Sequence, residues 1–309
     1  MSRLYQSIFP LFFILALSMF ACKGGSDGKG GDDRVRVATL RGPAGISMVH
    51  MMDSAGELGG RKLDFQIKNE PLQVRPLLFQ EQVEFAVVPT NMAAILYNKG
   101  TNYRLAAVPV WGTLYLFGED QSIRDWEDLR GKKIHLMAKG MTPDVMFRYL
   151  LENNGLDPLK DVTLDYSFPT HIELANAVAS GSAEMGVISE PLVSMVMKKN
   201  NRVRPLISLN DAWKKQTNTE IPQTALLVHK RFAKEHPALV REFLEKYKRS
   251  AEWINTHPDK GAERIVHYNI LNDPQVALES IPRCNIRLRG AAAVRQEVES
   301  YLVIFYLIK

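Results

Sequence analysis

From residue 35 onward, short apolar runs alternate with stretches in which apolar residues recur every three or four positions. Residues 35–40 read as a strand, Arg41-Gly42-Pro43-Ala44-Gly45 as a tight loop, and Met48, Val49, Met52 and Ala55 as one face of a helix. Residues 63–67 form the next predicted strand, 72–80 a helix, and 84–88 a third strand that stops at Pro89. Thr90 or Asn91 then caps a helix through Tyr97, Gly100 supplies its left-handed stop, and 103–110 is a fourth strand.

The same order recurs about one hundred residues later. Residues 133–137 are a predicted strand and 138–142 a loop. Residues 143–153 are a helix with Thr142 as N-cap, Pro143 in the first turn and Gly155 past the end. Segments 162–166, 172–179, 185–188, 192–198 and 203–207 complete the series, and Ala183-Glu184-Met185-Gly186-Val187-Ile188 answers Val83-Glu84-Phe85-Ala86-Val87-Val88. Alternating strands and helices predict an α/β chain with two mostly parallel sheets. After a strand at 224–228 the pattern turns helical, with starts near Pro237, Pro258 and Pro274. The expected division is one lobe from 34–113 plus 219–309 and a second from 114–218, with hinges at 113–118 and 217–223.

The N-terminus follows a different rule. Residues 8–20 are thirteen almost uniformly apolar residues, too few to span a bilayer, and Ala21-Cys22 closes them. The expectation is a cleaved signal over 1–21, with Cys22 as the lipid-modified first residue of an exported chain held at the outer face of a bacterial membrane. An ordinary signal with Cys22 incidental is the alternative. Residues 22–33 are polar and glycine-rich, a predicted tether reaching roughly 20 Å. The only other cysteine is Cys284, so no thiol cluster for a metal exists. The net charge of +5 is spread through the chain and gives no nucleic-acid footprint. His-Glu-x-x-His and Gly-x-Ser-x-Gly are absent, leaving hydrolytic or metal catalysis without support and predicting no cofactor.

Ligands of open α/β sheets sit beyond the carboxyl ends of the strands, where loops meet helix N-termini. Four loops qualify: 41–45, 89–91, 139–142 and 189–191. One helix terminus contributes only about 0.3–2 kcal/mol, against roughly 8 kcal/mol for a micromolar ligand, so several loops must converge. Plainer roles compete: Arg41 and Lys139 as exposed loop charges, Glu190 as the cap of the helix it opens, and Trp111 as core.

The run from Gly131 to Pro143-Asp144, with Asn154-Gly155-Leu156-Asp157-Pro158, Val187-Ile188-Ser189-Glu190-Pro191 and Leu209-Asn210-Asp211-Ala212-Trp213, resembles the substrate-binding proteins of ABC importers in the nitrate, sulfonate, taurine and thiamine-precursor class. The likeness covers nearly all of the body. It implies a type II periplasmic-binding-protein-like fold, two α/β lobes joined by two hinge crossings, closing as a monomer on a small organic solute passed to an ABC permease. Carried over by position, the ligand contacts fall on Arg41, Gly42, Pro43, Ala44, Thr90, Asn91, Trp111, Lys139, Gly140, Met141, Thr142 and Glu190. An ionised Glu190 only accepts hydrogen bonds, so facing the cleft it implies a ligand with a donor end as well as an acceptor end. Ending at Lys309 inside an apolar stretch suggests a shortened C-terminus. The alternatives are a surface sensor or adhesin on the same fold, and an enzyme of the thiamine-precursor synthase type, whose cysteine-rich motif this chain lacks.

Overall fold

The computed structural model describes residues 33–54, 56–137 and 139–308; the predicted signal, Cys22 and nearly all of the tether lie outside them. The strands run in the order β1 (Arg34–Leu40), β2 (Glu57–Leu58), β3 (Arg61–Lys68), β4 (Phe85–Pro89), β5 (Tyr103–Trp111), β6 (Leu114–Gly118), β7 (Lys133–Leu136), β8 (Thr163–Asp165), β9 (Met185–Ser189), β10 (Arg204–Ser208), β11 (Pro222–His229) and β12 (Ile286–Gly290). They form a seven-stranded sheet, β12-β5-β11-β4-β1-β3-β2, and a five-stranded sheet, β10-β6-β9-β7-β8. Each sheet centres one α/β lobe.

The sheets are mixed, which corrects the mostly parallel expectation. β1 runs parallel to β3 and β4, and β7 to β8 and β9; the other six pairings are antiparallel. The reason is the crossings. β4, β5 and β9 lead toward the space between the lobes, whereas β6 and β11 re-enter a sheet from it and must run the opposite way.

Apolar alternation places the cores as the sequence predicts. Under the large sheet Phe85 stacks on Phe243 of the helix Pro237–Thr256 at a centroid distance of 3.8 Å, with Phe232 edge-on. Full burial of such a ring stabilises by about 1.5–3 kcal/mol. Prolines at the first turns of helices Pro237–Thr256, Pro258–His267 and Pro274–Ser280 match the expected starts. In the small sheet Ile134, Leu136, Met185 and Val187 pack against Met146, Phe147 and Leu150 of the helix Thr142–Asn153.

Three connections join the lobes, not two. The first passes through Gly112 and Thr113, and the second returns through residues 218–221. They lie side by side: the Gly112 amide donates to the Ile221 carbonyl (2.8 Å), the Ile221 amide donates to Asn210 Oδ1 (3.1 Å), and Asn285 Nδ2 donates to the Gly112 carbonyl (2.6 Å). A side chain at Gly112 would collide with Asn210. The third connection follows β12, where the helix Arg295–Leu307 leaves the first lobe and places Tyr301 and Ile304, with Ile308 beyond it, in the second lobe's core. Earlier in the same helix Val298 packs beside Val108 and Trp111 of the first lobe, so the helix bridges the two. Its apolar stripe fits the open side of helix Thr142–Asn153, where Thr142 Oγ1 and Tyr301 Oη lie 3.2 Å apart.

Candidate functional site

A cavity of about 100 Å³ lies where the two lobes meet. Leu40, Arg41, Pro43 and Ala44 line it from the loop after β1, Val110 from β5, Gln223 and Thr224 from β11, Thr113 from the first crossing, and Ser189 from the end of β9. Leu40, Val110 and Ser189 stand at carboxyl ends of strands, the place where open α/β sheets admit ligands, and the start of antiparallel β11 lies beside the end of β4. A larger hollow of about 330 Å³ between helix Pro237–Thr256 and β12 is lined by first-lobe elements alone. The smaller cavity is therefore the better candidate, because both lobes build it.

Its wall carries unanswered polar atoms. Gln223 Oε1 and Thr224 Oγ1 are buried and without a hydrogen-bond partner, as are Thr39 Oγ1 in β1 and Thr90 Oγ1 just past β4. Thr224 is registered opposite Pro89, so Thr90 begins its helix beside the same strand end. A buried hydroxyl left unpaired costs about 1–3 kcal/mol, and of these four residues Gln223 and Thr224 line the cavity. The Arg41 side chain is exposed, and no ion pair to it forms among the described residues. The loop carrying it turns on Gly42 at φ 113° and ψ −154°, a backbone region essentially reserved for glycine. A Cβ there would lie 3.8 Å from Pro191 Cδ, so the loop rests on the other lobe.

The remaining expected contacts divide. Arg41, Pro43 and Ala44 line the cavity, with Gly42 as their pivot. Asn91 Oδ1 accepts from the Met92 amide inside its own helix start (2.8 Å). Lys139, Gly140, Met141 and Thr142 form a separate loop that does not line the cavity. There Gly140, at φ 81°, donates its amide to Asp144 Oδ2 (2.6 Å), while the other oxygen of this fully buried carboxylate accepts from Tyr166 Oη (2.6 Å) and meets Arg148 Nε at 3.2 Å. Thr142 is not the N-cap expected of it; Met141 holds that position, and the Thr142 hydroxyl turns to Tyr301.

Trp111 is core, not a ligand platform. It is fully buried with Val108 and Val294, its Nε1 donates to the Arg287 carbonyl (2.7 Å), and the Arg287 and Arg289 guanidiniums lie over its ring at 5.4 and 5.1 Å. Its large area was best buried at the third crossing, against β12.

Glu190 is buried and engaged. Its Oε2 accepts from the Ser194 amide (3.1 Å) and hydroxyl (2.8 Å), and its Oε1 pairs with Arg283 Nε. Glu190 thus fills the plainer role expected of it, anchoring the first turn of helix Leu192–Lys199, and it also reaches Arg283 of the opposite lobe. Burial pushes its carboxyl above the usual range, with the Arg283 charge opposing. Burial and then the Glu190 charge raise the Tyr115 phenol to about 12. With both carboxylate oxygens held, a donor end on the ligand loses its argument.

Sequence reasoning missed Thr113, Gln223 and Thr224 as cavity walls. The available signal was their position at the ends of the two predicted hinges, since residues at a crossing between lobes also face the space between them. Among the described residues no group of three His, Cys, Asp or Glu comes together to hold a metal, and no helix is long and apolar enough to cross a membrane.

A family described as the periplasmic substrate-binding protein of phosphonate ABC transporters matches residues 50–266. A solved ABC transporter protein of Parabacteroides distasonis is 25% identical with a TM-score of 0.80, covering 90% of this chain and 94% of that one. The periplasmic aliphatic sulphonate binding protein SsuA of Escherichia coli shares 16% identity at a TM-score of 0.73, over 89% of this chain and 87% of its own. The alkanesulfonate-binding protein SsuA of Xanthomonas axonopodis pv. citri, solved with MOPS, shares 14% at 0.68 over 89% and 93%. The provisionally named binding protein YtlA of Bacillus subtilis (strain 168) is 27% identical over 173 residues, 56% of this chain; that alignment spans half of the relative's length.

Proposed function

The chain belongs to the family of periplasmic substrate-binding proteins of phosphonate ABC transporters, and from that footing we propose that its interlobe cleft captures a small organic anion and delivers it to an ABC importer in the membrane. The observation that carries this reading is the cavity at the crossings, which Arg41 lines together with Gln223 and Thr224, whose Oε1 and Oγ1 have no hydrogen-bond partner among the described residues. Its lining is mixed, with Leu40, Pro43, Ala44 and Val110 beside Arg41, Thr113, Ser189, Gln223 and Thr224, which suits an anionic head carried on a small organic body. The Glu190 charge is balanced by Arg283, leaving Arg41 to set the sign of the site. Lipid attachment at Cys22 belongs to the same proposal: a tethered receptor stays beside its permease, and labelling with a radioactive fatty acid, lost in Cys22→Ser, tests it.

Calorimetry with methylphosphonate, ethanesulfonate, taurine, nitrate and an aminopyrimidine tests the ligand class. Saturable heat from the phosphonate or a sulfonate is the expected result, with a gain of about 2.7 kcal/mol in stability at one hundred times the dissociation constant. Binding of the aminopyrimidine alone would overturn the anion reading.

A further inference from the structure

Helix Leu192–Lys199 and the residue pair before it carry a polar stripe that faces away from their own sheet. Glu190, Ser194 and Lys198 are spaced four apart, so they share one side, while Val193 and Val196 turn into the second lobe's core. Each stripe residue meets a partner from the first lobe. Arg283, in the single turn Ile281–Cys284, donates Nε to Glu190 and Nη2 to Ser194 Oγ (2.6 Å), and Lys198 pairs with Asp273, the N-cap of helix Pro274–Ser280. The turn bearing Arg283 is fixed from below, since Ile281, Cys284 and Ile286 are buried with Ile46 and Val49.

We propose that this stripe is a closing latch, which holds the two lobes together and whose release at Arg283 opens the cleft. Two features give it that role. Glu190 follows directly on Ser189, which lines the cavity, so the latch sits at the cavity's edge. Asn285, two residues past Arg283 and in the left-handed conformation at φ 45°, is bonded to the hinge, donating to the Gly112 carbonyl and accepting from the Trp111 amide (3.1 Å). One short segment therefore grips the latch at one end and the first crossing at the other. A movement of Arg283 away from Glu190 is passed to Gly112 through two residues of backbone.

The latch is testable on the full chain without any solute, after unfolding and refolding in solute-free buffer, so its result stands whichever ligand the cleft takes. Small-angle scattering and hydrogen exchange are measured for the wild type, Arg283→Ala, Lys198→Met and, as control, Arg295→Ala, which removes an exposed pair within one helix. The expected result is a compact wild type, a larger radius of gyration in Arg283→Ala, and faster exchange at Gly112 by about tenfold or more, the ratio that 1.4 kcal/mol produces. Lys198→Met shifts both in the same direction by less, and Arg295→Ala shifts neither. If Arg283→Ala fails to fold, Arg283→Lys, which keeps the charge and loses the fork, and Lys198→Met carry the test. Unchanged scattering and exchange in the folded variants, or a wild type already as expanded as they are, would overturn the latch.

Discussion

The loop after β1 and the loop after β7 occupy matching places in the two halves, Leu40-Arg41-Gly42 answering Ala138-Lys139-Gly140, yet they are built for opposite ends. The first is left open. Arg41 meets no ion-pair partner among the described residues, the short helix Pro43–Ile46 has no side-chain cap, and the loop lines the cavity. The second is closed on itself, with the Gly140 amide, the Tyr166 hydroxyl and Arg148 gathered on Asp144. A repeat at the level of strand, loop and helix therefore does not repeat at the level of hydrogen bonds. The acid four residues past the second glycine is what differs, for Ile46 stands at the matching place in the first half.

Removing that acid should have the largest effect. Asp144→Ala takes a carboxylate with no solvent exposure away from the donors it holds, and loss of one partner of a buried pair costs about 3–5 kcal/mol. Urea denaturation should show a midpoint lowered accordingly; a change below about 1 kcal/mol would mean that the second loop is not held by Asp144. Next comes Gly42→Ala. Its φ of 113° with ψ −154° costs a side chain about 1–3 kcal/mol, although the space beside it is adequate, Pro191 Cδ being 3.8 Å away. Gly140→Ala, at φ 81° and with nothing within 4 Å, should cost about 1–2 kcal/mol. Equal costs would blur the contrast between the two turns.

Much of the fold was legible because burial imposes periods. The run Phe85-Ala86-Val87-Val88 needs both faces covered, and each proline at 237, 258 and 274 marks a first turn. β12 escaped notice since Ile286-Arg287-Leu288-Arg289 places charges on every other position and reads as surface; the arginines do face outward there, and they lie over Trp111 as well. The last helix was visible, but nothing in its pattern says which lobe its apolar stripe meets. The site was half legible for a related reason. Loops at strand ends announce themselves through Arg41-Gly42-Pro43, whereas Glu190 meets Arg283 across 93 positions of chain, a pairing that no local pattern encodes.

The smallest structural effect should accompany the clearest functional one. Arg41→Ala removes an exposed side chain that forms no ion pair among the described residues, so stability should stay within about 0.5 kcal/mol of the wild type. If the first loop is open in order to meet an anion, the same substitution removes a charged donor worth about 1.5–3 kcal/mol, a loss of roughly ten- to a hundredfold in affinity for methylphosphonate or ethanesulfonate by calorimetry. Lys139→Ala is the matching change in the closed loop and should leave that affinity within about twofold, because Lys139 does not line the cavity. A reversed outcome, affinity lost with Lys139 and kept without Arg41, would place the anion on the second loop. The contrast between an open and a closed copy of the same turn would then fail where it matters, in the binding of the solute.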